Sequence, residues 1–164
     1  MKSFTILTLF SMLSTGFQNY SSVTNAAEQT GSSVISALKK KSIEEYRALL
    51  PTLSEFHQIM DTNDGLYGGF LTEAKRDFAV QYEQEVLPSV RESFSTVVAE
   101  GHKRGINWQN IEFVSVKKIS TQGHENPVQL NIVFRENNKE YTLRIQNAFL
   151  WHGQWKVTQF IELV

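Results

Sequence analysis

Two stretches near the carboxyl end, 128–134 and 141–146, alternate hydrophobic and polar residues with a period of two. This period is typical of β-strands that have one buried and one solvated face. Asn137-Asn138 lies between the two stretches and tolerates the positive φ angles of a tight hairpin turn, as does His152-Gly153 further on. The sequence therefore predicts an antiparallel meander with an apolar face that must be covered. The positions on that face are Leu130, Ile132, Phe134, Tyr141, Leu143 and Ile145.

Two further segments complete a predicted four-stranded sheet. The segment 106–119, with Ile111, Phe113, Val114 and Val116, is expected to form the first strand. The polar stretch from Ser120 to Pro127 is expected to be a loop, and the last strand is expected at Trp155-Lys-Val157.

The first half of the chain shows helical spacing instead. Ser42-Ile-Glu-Glu45 and Thr52-Leu-Ser-Glu55 both have the pattern of a capping box, which marks the start of a helix. We therefore expect a helix break at Lys41, and a second break at Leu50, since the residue before a proline is biased away from helix. A small polar lead-in is expected at 28–33.

The longest helix is predicted over Leu71 to Arg104, where hydrophobic residues recur four apart along one face. Pro88 removes one backbone donor in the middle of this segment, so we expect a kink or break near Val86-Leu87. Gly101 and Gly105 mark its exit. The recurring hydrophobic residues are Ala74, Phe78, Tyr82, Val86, Val90, Phe94 and Val98.

These patterns define the expected fold class, which is α+β. N-terminal helices and a long kinked helix pack against a curved four-stranded antiparallel sheet. The chain of 164 residues has no cysteine, no internal repeat and no linker-like tract, and it is long enough to form one core without disulfides. A single domain is expected over 28–164.

The first 27 residues have the composition of a secretory signal peptide: Lys2, an apolar run at 4–13 and small residues ending at Ala26-Ala27. The apolar run is too short to span the roughly 30 Å hydrocarbon core of a bilayer. We therefore expect a periplasmic or secreted protein with no integral membrane segment after signal removal. The net charge of −1 gives no general attraction to nucleic acid, so no nucleic-acid partner is predicted.

No motif for catalysis, metal binding or cofactor binding is found in the sequence. The four histidines lack metal-ligand spacing, and the loop at 61–72 fails the register of a calcium loop at several ligand positions. There is no nucleophile elbow, phosphate loop or dinucleotide fingerprint. We therefore predict no metal and no cofactor.

Aromatic side chains are the strongest candidates for binding. Tyr82, Trp108, Tyr141 and Trp155 are enough to line a ligand cavity between helices and sheet, although large residues in such places often only fill the core. Carboxylates such as Glu112 could act as a general base only if burial or a charged partner raised their pKa.

The order of elements resembles that of the nuclear transport factor 2-like, or cystatin-like, α+β superfamily. The stretch that carries the resemblance is the terminal hairpin, Phe149-Leu-Trp-His-Gly-Gln-Trp-Lys-Val157. The resemblance implies a curved sheet wrapped around a long helix, in a fold that hosts both enzymes and binding modules. Enzymes of this type carry an acidic residue and a histidine inside the cone, and this sequence has no aspartate on a predicted strand.

Two functional hypotheses follow. The favoured one is an exported non-catalytic domain that binds a small apolar molecule, a peptide or a partner protein. The alternative is a small-molecule lyase or isomerase that uses Glu112, with Tyr82 or His124 assisting. A homodimer through the outer face of the sheet is compatible with either, and Val114, Val116 and Val133 are its expected contact residues.

Overall fold

The computed structural model describes residues 20–121, 124–158 and 160–164, and the side chains of these residues except 20–25 and 121–126. Helices occupy the first part of the chain and an antiparallel sheet that is not closed occupies the last part, so the α+β fold class is confirmed. Within the described residues, none of the helices has the length and hydrophobicity that crossing a bilayer requires. The α-helices are α1 (Tyr20–Lys40), α2 (Ile43–Arg47), α3 (Leu53–Thr62), α4 (Leu71–Gln81) and α5 (Leu87–Lys103).

The helix boundaries follow the capping signals. Lys41 adopts a positive φ of 51° and ends α1, and the Ser42 side chain then accepts a hydrogen bond from the backbone N–H of Glu45 at 3.2 Å. Thr52 and Glu55 form a full capping box at the start of α3. Both predicted breaks are therefore confirmed.

Helix α1 is longer than the sequence pattern indicates, and the polar lead-in expected at 28–33 is wrong because this segment is helical. Its buried face is made partly of small residues, which carry little hydrophobic signal. Ala27 is fully buried, Thr30 is 7% exposed, and a Cβ atom added to Gly31 would lie 2.8 Å from side-chain atoms of both Phe113 and Val116. The helix begins at Tyr20, on the N-terminal side of the predicted signal cleavage site. Residues 1–19 lie outside the described part of the chain.

The long helix continues past Pro88 without a break. Residues Tyr82–Val86 form a π-helical turn between α4 and α5, and the backbone N–H of Leu87 donates to the carbonyl of Tyr82, five residues earlier. A proline cannot donate the regular bond to the carbonyl four residues before it, and the wider turn accommodates that loss. The predicted disturbance is therefore present, as a π turn rather than a break.

The end of α5 has the geometry of a Schellman motif. Gly105 has φ 79°, and the backbone N–H of Ile106 donates to the carbonyl of Gly101 at 2.9 Å. Gly101 itself lies inside the last turn, where a Cβ atom would approach the Trp108 ring to 2.1 Å. Gly101 and Gly105 were predicted to mark the end of this helix, and the structure confirms it. The close approach of Trp108 is a second reason for glycine at position 101.

The sheet is a meander with strand order β1-β2-β3-β4, and a fifth strand pairs with β3. The stretch from Ser120 to Pro127 was expected to be a loop. This prediction is wrong, because β1 and β2 continue through most of it as a polar extension. Asn137 and Asn138 both have positive φ and form the predicted hairpin turn. The strands are β1 (Glu112–Thr121), β2 (His124–Glu136), β3 (Lys139–Trp151), β4 (Gln154–Lys156) and β5 (Ile161–Leu163).

A register shift between Phe113 and Ser115 changes which residues of β1 face inward. Phe113 lies opposite Phe134, and Val116 lies opposite Ile132, so both belong to the buried face although they are three residues apart. Val116 was expected on the outer face as a dimer contact, and this expectation is wrong. In a regular strand, two residues on the same face are separated by an even number of positions. The spacing of three therefore requires one extra residue, a β-bulge. That residue is Val114, which is 38% exposed.

The buried face of the sheet is covered by two helices. Helix α1 contacts β1 and β4, and α5 contacts β5. The long helix therefore shares a role that the sequence pattern assigned to it alone. The fully buried residues at the centre of this layer are Val34, Leu38, Leu130, Ile132, Phe134, Leu143 and Ile145.

The segment after the second hairpin turn is held against the helices by backbone atoms. His152 and Gly153 have positive φ, as predicted for that turn, and residues 155–158 then run past α1 and α2. Three hydrogen bonds between residues far apart in sequence therefore join this segment to α1, to α2 and to the turn that follows α2. They run from Thr30 Oγ1 to Trp155 O (3.2 Å), from Val157 N to Leu49 O (3.0 Å) and from the Tyr46 hydroxyl to Thr158 O (3.4 Å).

Candidate functional site

An open groove with a volume of about 400 Å³ lies where the loop between α2 and α3 meets the π turn of the long helix. We call it the α2–α3 groove. Its size falls in the range of small-molecule sites, of roughly 300–1,000 Å³. The residues that line it are Glu44, Arg47, Ala48, Leu50, Pro51, Thr52, Leu53 and Tyr82.

Local sequence explains how the walls of the groove are positioned. Pro51 follows the turn that ends helix α2, and Leu50 and Pro51 form a buried link to α3. The Tyr82 hydroxyl donates a hydrogen bond to the Pro51 carbonyl at 3.0 Å, which fixes the long helix to this link. The capping box at Thr52 then begins the opposite wall.

Charge in the groove comes from Arg47 and Glu44 on α2. Among the described residues, neither side chain has an ion pair within 4.0 Å. Burial raises the pKa of Tyr82, the positive charge of Arg47 lowers it, and the negative charges of Glu83 and Glu55 add to the increase. The guanidinium is therefore close enough to the Tyr82 hydroxyl to act on it electrostatically, and it remains available to an anion.

Of the four residues predicted to bind a ligand, Tyr82 lines the groove. Trp108 is fully buried, stacks on Phe134 with ring centroids 5.7 Å apart, and donates from Nε1 to the carbonyl of Val98 at 3.0 Å. These contacts occupy both its ring face and its polar atom, so Trp108 fills the core.

The other two predicted binding residues also pack against protein groups. Tyr141 stacks on Phe134 at 5.4 Å, and the Lys139 ammonium lies 4.9 Å from the centre of its ring. Trp155 is 4% exposed, with the Lys118 ammonium 5.7 Å from its ring. The aromatic residues are therefore distributed through the layer between helices and sheet, and they are not gathered around one cavity.

The alternative catalytic residues are not brought together by any described contact. Glu112 is exposed at the start of β1, opposite Arg135 on β2. Tyr82 donates its hydroxyl proton to a backbone carbonyl. His124 begins β2, and its side chain lies outside the described side chains. No group of three or more histidines and carboxylates with the geometry of a metal site is found within the described residues.

Apart from Tyr82, the residues that line the groove, Arg47 and Leu53 among them, were not predicted as binding residues from the sequence. The signals that define the loop, Pro51 and the Thr52 capping box, were visible, but they indicate where a helix ends and not what faces it. The approach of Tyr82 from 31 residues away is a tertiary contact with no local pattern.

The chain was compared with protein-family models, curated proteins and solved structures, and none of the three comparisons found a match. The resemblance to the nuclear transport factor 2-like superfamily therefore stays a prediction.

The interactions of Glu55, which caps α3 beside Thr52 at the wall of the groove, predict that the stability of the fold depends on pH. Partial burial of Glu55 acts to raise its pKa. Hydrogen bonds from Lys156 and from the Thr52 N–H, together with the Lys156 charge 2.8 Å away, outweigh this effect and lower the pKa below its ordinary value of 4.5. A carboxyl whose pKa is lower in the folded state stabilises the fold above its unfolded pKa, and this stabilisation is lost as the pH falls through the folded pKa.

We expect Glu55→Gln to reduce the free energy of unfolding by about 1–2 kcal/mol at pH 7, because glutamine keeps the capping box but loses the charged hydrogen bond. Urea denaturation should show this difference shrinking as the pH falls below 4.5. Glu92→Gln, at an exposed position of α5, is the matched control and should have little effect. A loss of stability in Glu55→Gln that is the same at every pH would contradict this assignment.

Proposed function

We propose that this protein is a non-catalytic binding domain that holds a small amphipathic carboxylate in the α2–α3 groove. The observation that carries the proposal is an arginine without an ion-pair partner among the described residues, at the edge of a groove with an apolar lining. An apolar lining with a few placed polar groups is the usual composition of a small-molecule site.

The apolar part of the ligand would lie on Ala48, Leu50, Pro51 and Leu53. Removing apolar surface from water contributes roughly 25 cal/mol per Å², so a short alkyl or aromatic body is enough for weak, reversible binding. The groove is open to solvent on one side, and this fits a ligand whose polar end remains partly hydrated.

The charged end of the ligand would lie at Arg47. A guanidinium presents several N–H donors in one plane and binds a carboxylate with two parallel hydrogen bonds. Glu44 lies one turn earlier in α2, at the helix N-terminus, where the helix dipole favours a negative charge. Glu44 would repel a second negative charge and so favour a ligand with a single carboxylate.

The binding hypothesis is favoured over the lyase or isomerase hypothesis by the state of Tyr82. Its hydroxyl donates to the Pro51 carbonyl, and among the described residues no hydrogen bond joins it to a histidine or a carboxylate. General acid–base catalysis requires such a partner, or a substrate group in its place.

We also propose that the protein is exported. The support is Lys2 with the apolar run and small residues that follow, in a chain without cysteine. N-terminal sequencing of the protein from the exported fraction of its source cells should read from Ala27 or Glu28. A chain that still begins with Met1 would contradict this proposal.

Octanoate tests the binding proposal, with octanamide as its neutral counterpart. In two-dimensional NMR titrations, octanoate should shift the backbone amides of Leu50, Leu53 and Tyr82 and should bind more tightly than octanamide. Arg47→Gln should weaken octanoate binding by roughly tenfold, since a hydrogen bond to a charged group contributes about 1.5–3 kcal/mol. The same substitution should leave octanamide binding unchanged.

Arg91→Gln is the control for the loss of one positive charge, because Arg91 is an exposed residue of α5 that does not line the groove. It should leave octanoate binding unchanged. Equal binding of octanoate and octanamide, or amide shifts confined to other parts of the chain, would overturn the proposal.

A further inference from the structure

The turn between α3 and α4 carries two exposed large hydrophobic side chains. Phe70 is 73% exposed and Leu66 is 54% exposed, the two highest values among the large hydrophobic residues whose side chains are described. The two residues are four positions apart, so their Cα atoms lie within about 14 Å of each other. Large hydrophobic side chains that are exposed close together in the chain are a feature of interaction sites.

The turn is held in place by its own hydrogen bonds. Residues Asp64–Leu66 and Gly68–Phe70 form two short 3-10 helices, and the backbone N–H of Phe70 donates to the carbonyl of Tyr67 at 3.0 Å. The Asn63 side chain donates to the carbonyl of Ile59 at 2.7 Å, which attaches the turn to α3. A partner would therefore meet a preformed surface, which reduces the entropy lost on binding.

The exposed surface continues along α4. Glu73, Asp77 and Val80 are spaced by four and three residues, so they follow Phe70 along one side of the helix. All three are exposed, and Val80 is 52% exposed. We call Leu66, Phe70, Glu73 and Val80 the α3–α4 patch.

The charge around this patch is negative. Lys75 pairs with Asp61 at 2.5 Å, and Arg76 lies 3.5 Å from Asp77, so these charges largely cancel. Asp64 and Glu73 have no ion pair in the described part of the chain. Two uncompensated carboxylates beside two exposed hydrophobic side chains favour a cationic partner and oppose an anionic lipid surface.

We propose that the α3–α4 patch is a docking site for a protein segment that has hydrophobic residues on one face and lysine or arginine residues beside them. The exposed Phe70 and Leu66 would enter the apolar face of the partner, and Asp64 and Glu73 would pair with its basic residues. This site is separate from the α2–α3 groove, and the proposal does not depend on the ligand proposed for that groove.

A synthetic amphipathic helix with leucine on one face and lysine on the other is the probe, and the same peptide with glutamate in place of lysine is its counterpart. The lysine peptide should bind at least about tenfold more tightly, because opposite charges attract across the interface and like charges repel. NMR titration should place the shifts at residues 64–80. The double substitution Leu66→Ser with Phe70→Ser should weaken binding at least about tenfold.

Separate variants test the charge of the α3–α4 patch and its position on the protein. Glu73→Lys should weaken binding of the lysine peptide severalfold and strengthen binding of the glutamate peptide. Ile119→Ser removes a hydrophobic side chain that is 43% exposed on the sheet and should change nothing. Circular dichroism of each variant establishes that it is folded.

Three results would overturn the proposal. The first is equal binding of the two peptides, or shifts that fall outside residues 64–80. The second is binding to phosphatidylglycerol vesicles that Phe70→Ser abolishes, which would identify the patch as a membrane contact. The third is a dimer in sedimentation velocity that the same substitution dissociates, which would identify a second copy of the chain as the occupant.

Discussion

The close contact between helix α1 and strand β1 is the constraint on which the rest of the fold depends. One face of the sheet is largely apolar, and each large hydrophobic residue on it contributes about 1.5–3 kcal/mol when it is removed from water. Helix α1 can lie against that face because Gly31 brings the helix backbone next to Phe113 and Val116. Val34 and Leu38 then reach the centre of the core.

Hydrogen bonds between distant parts of the chain follow from this contact. With α1 in place, the Thr30 hydroxyl meets the carbonyl of Trp155, and the loop after α2 meets Val157. The Lys156 ammonium then lies 2.8 Å from Glu55 at the start of α3. The groove walls are therefore held in part by the segment that follows the second hairpin turn, through Val157 and Lys156.

The parts of the fold that were predicted correctly are those with local causes. Capping boxes at Ser42 and Thr52, and the left-handed turn at Asn137-Asn138, depend on residues within a few positions of each other. The errors have non-local causes. The buried face of α1 is formed partly by Ala27, Thr30 and Gly31, which only the neighbouring strand makes into a packing surface.

The candidate site shows the same difference between features with local causes and features with non-local causes. Tyr82 was predicted as a binding residue because it is aromatic, and it does line the groove, but Trp108 and Trp155 are aromatic as well and pack into the core. Residue type alone does not distinguish these two environments. The difference lies in what faces each ring, such as Phe134 beside Trp108, and that depends on strand register.

The free energy of unfolding of Gly31→Leu, measured by urea denaturation beside Ser32→Leu, tests this account most directly. Leucine favours helix at both positions, but only at residue 31 would its side chain enter the space of Phe113 and Val116. We expect Gly31→Leu to lose about 3 kcal/mol or more, and Ser32→Leu, at an exposed position, to change by no more than about 0.5 kcal/mol. Equal stability of the two variants would contradict the packing of α1 on the sheet.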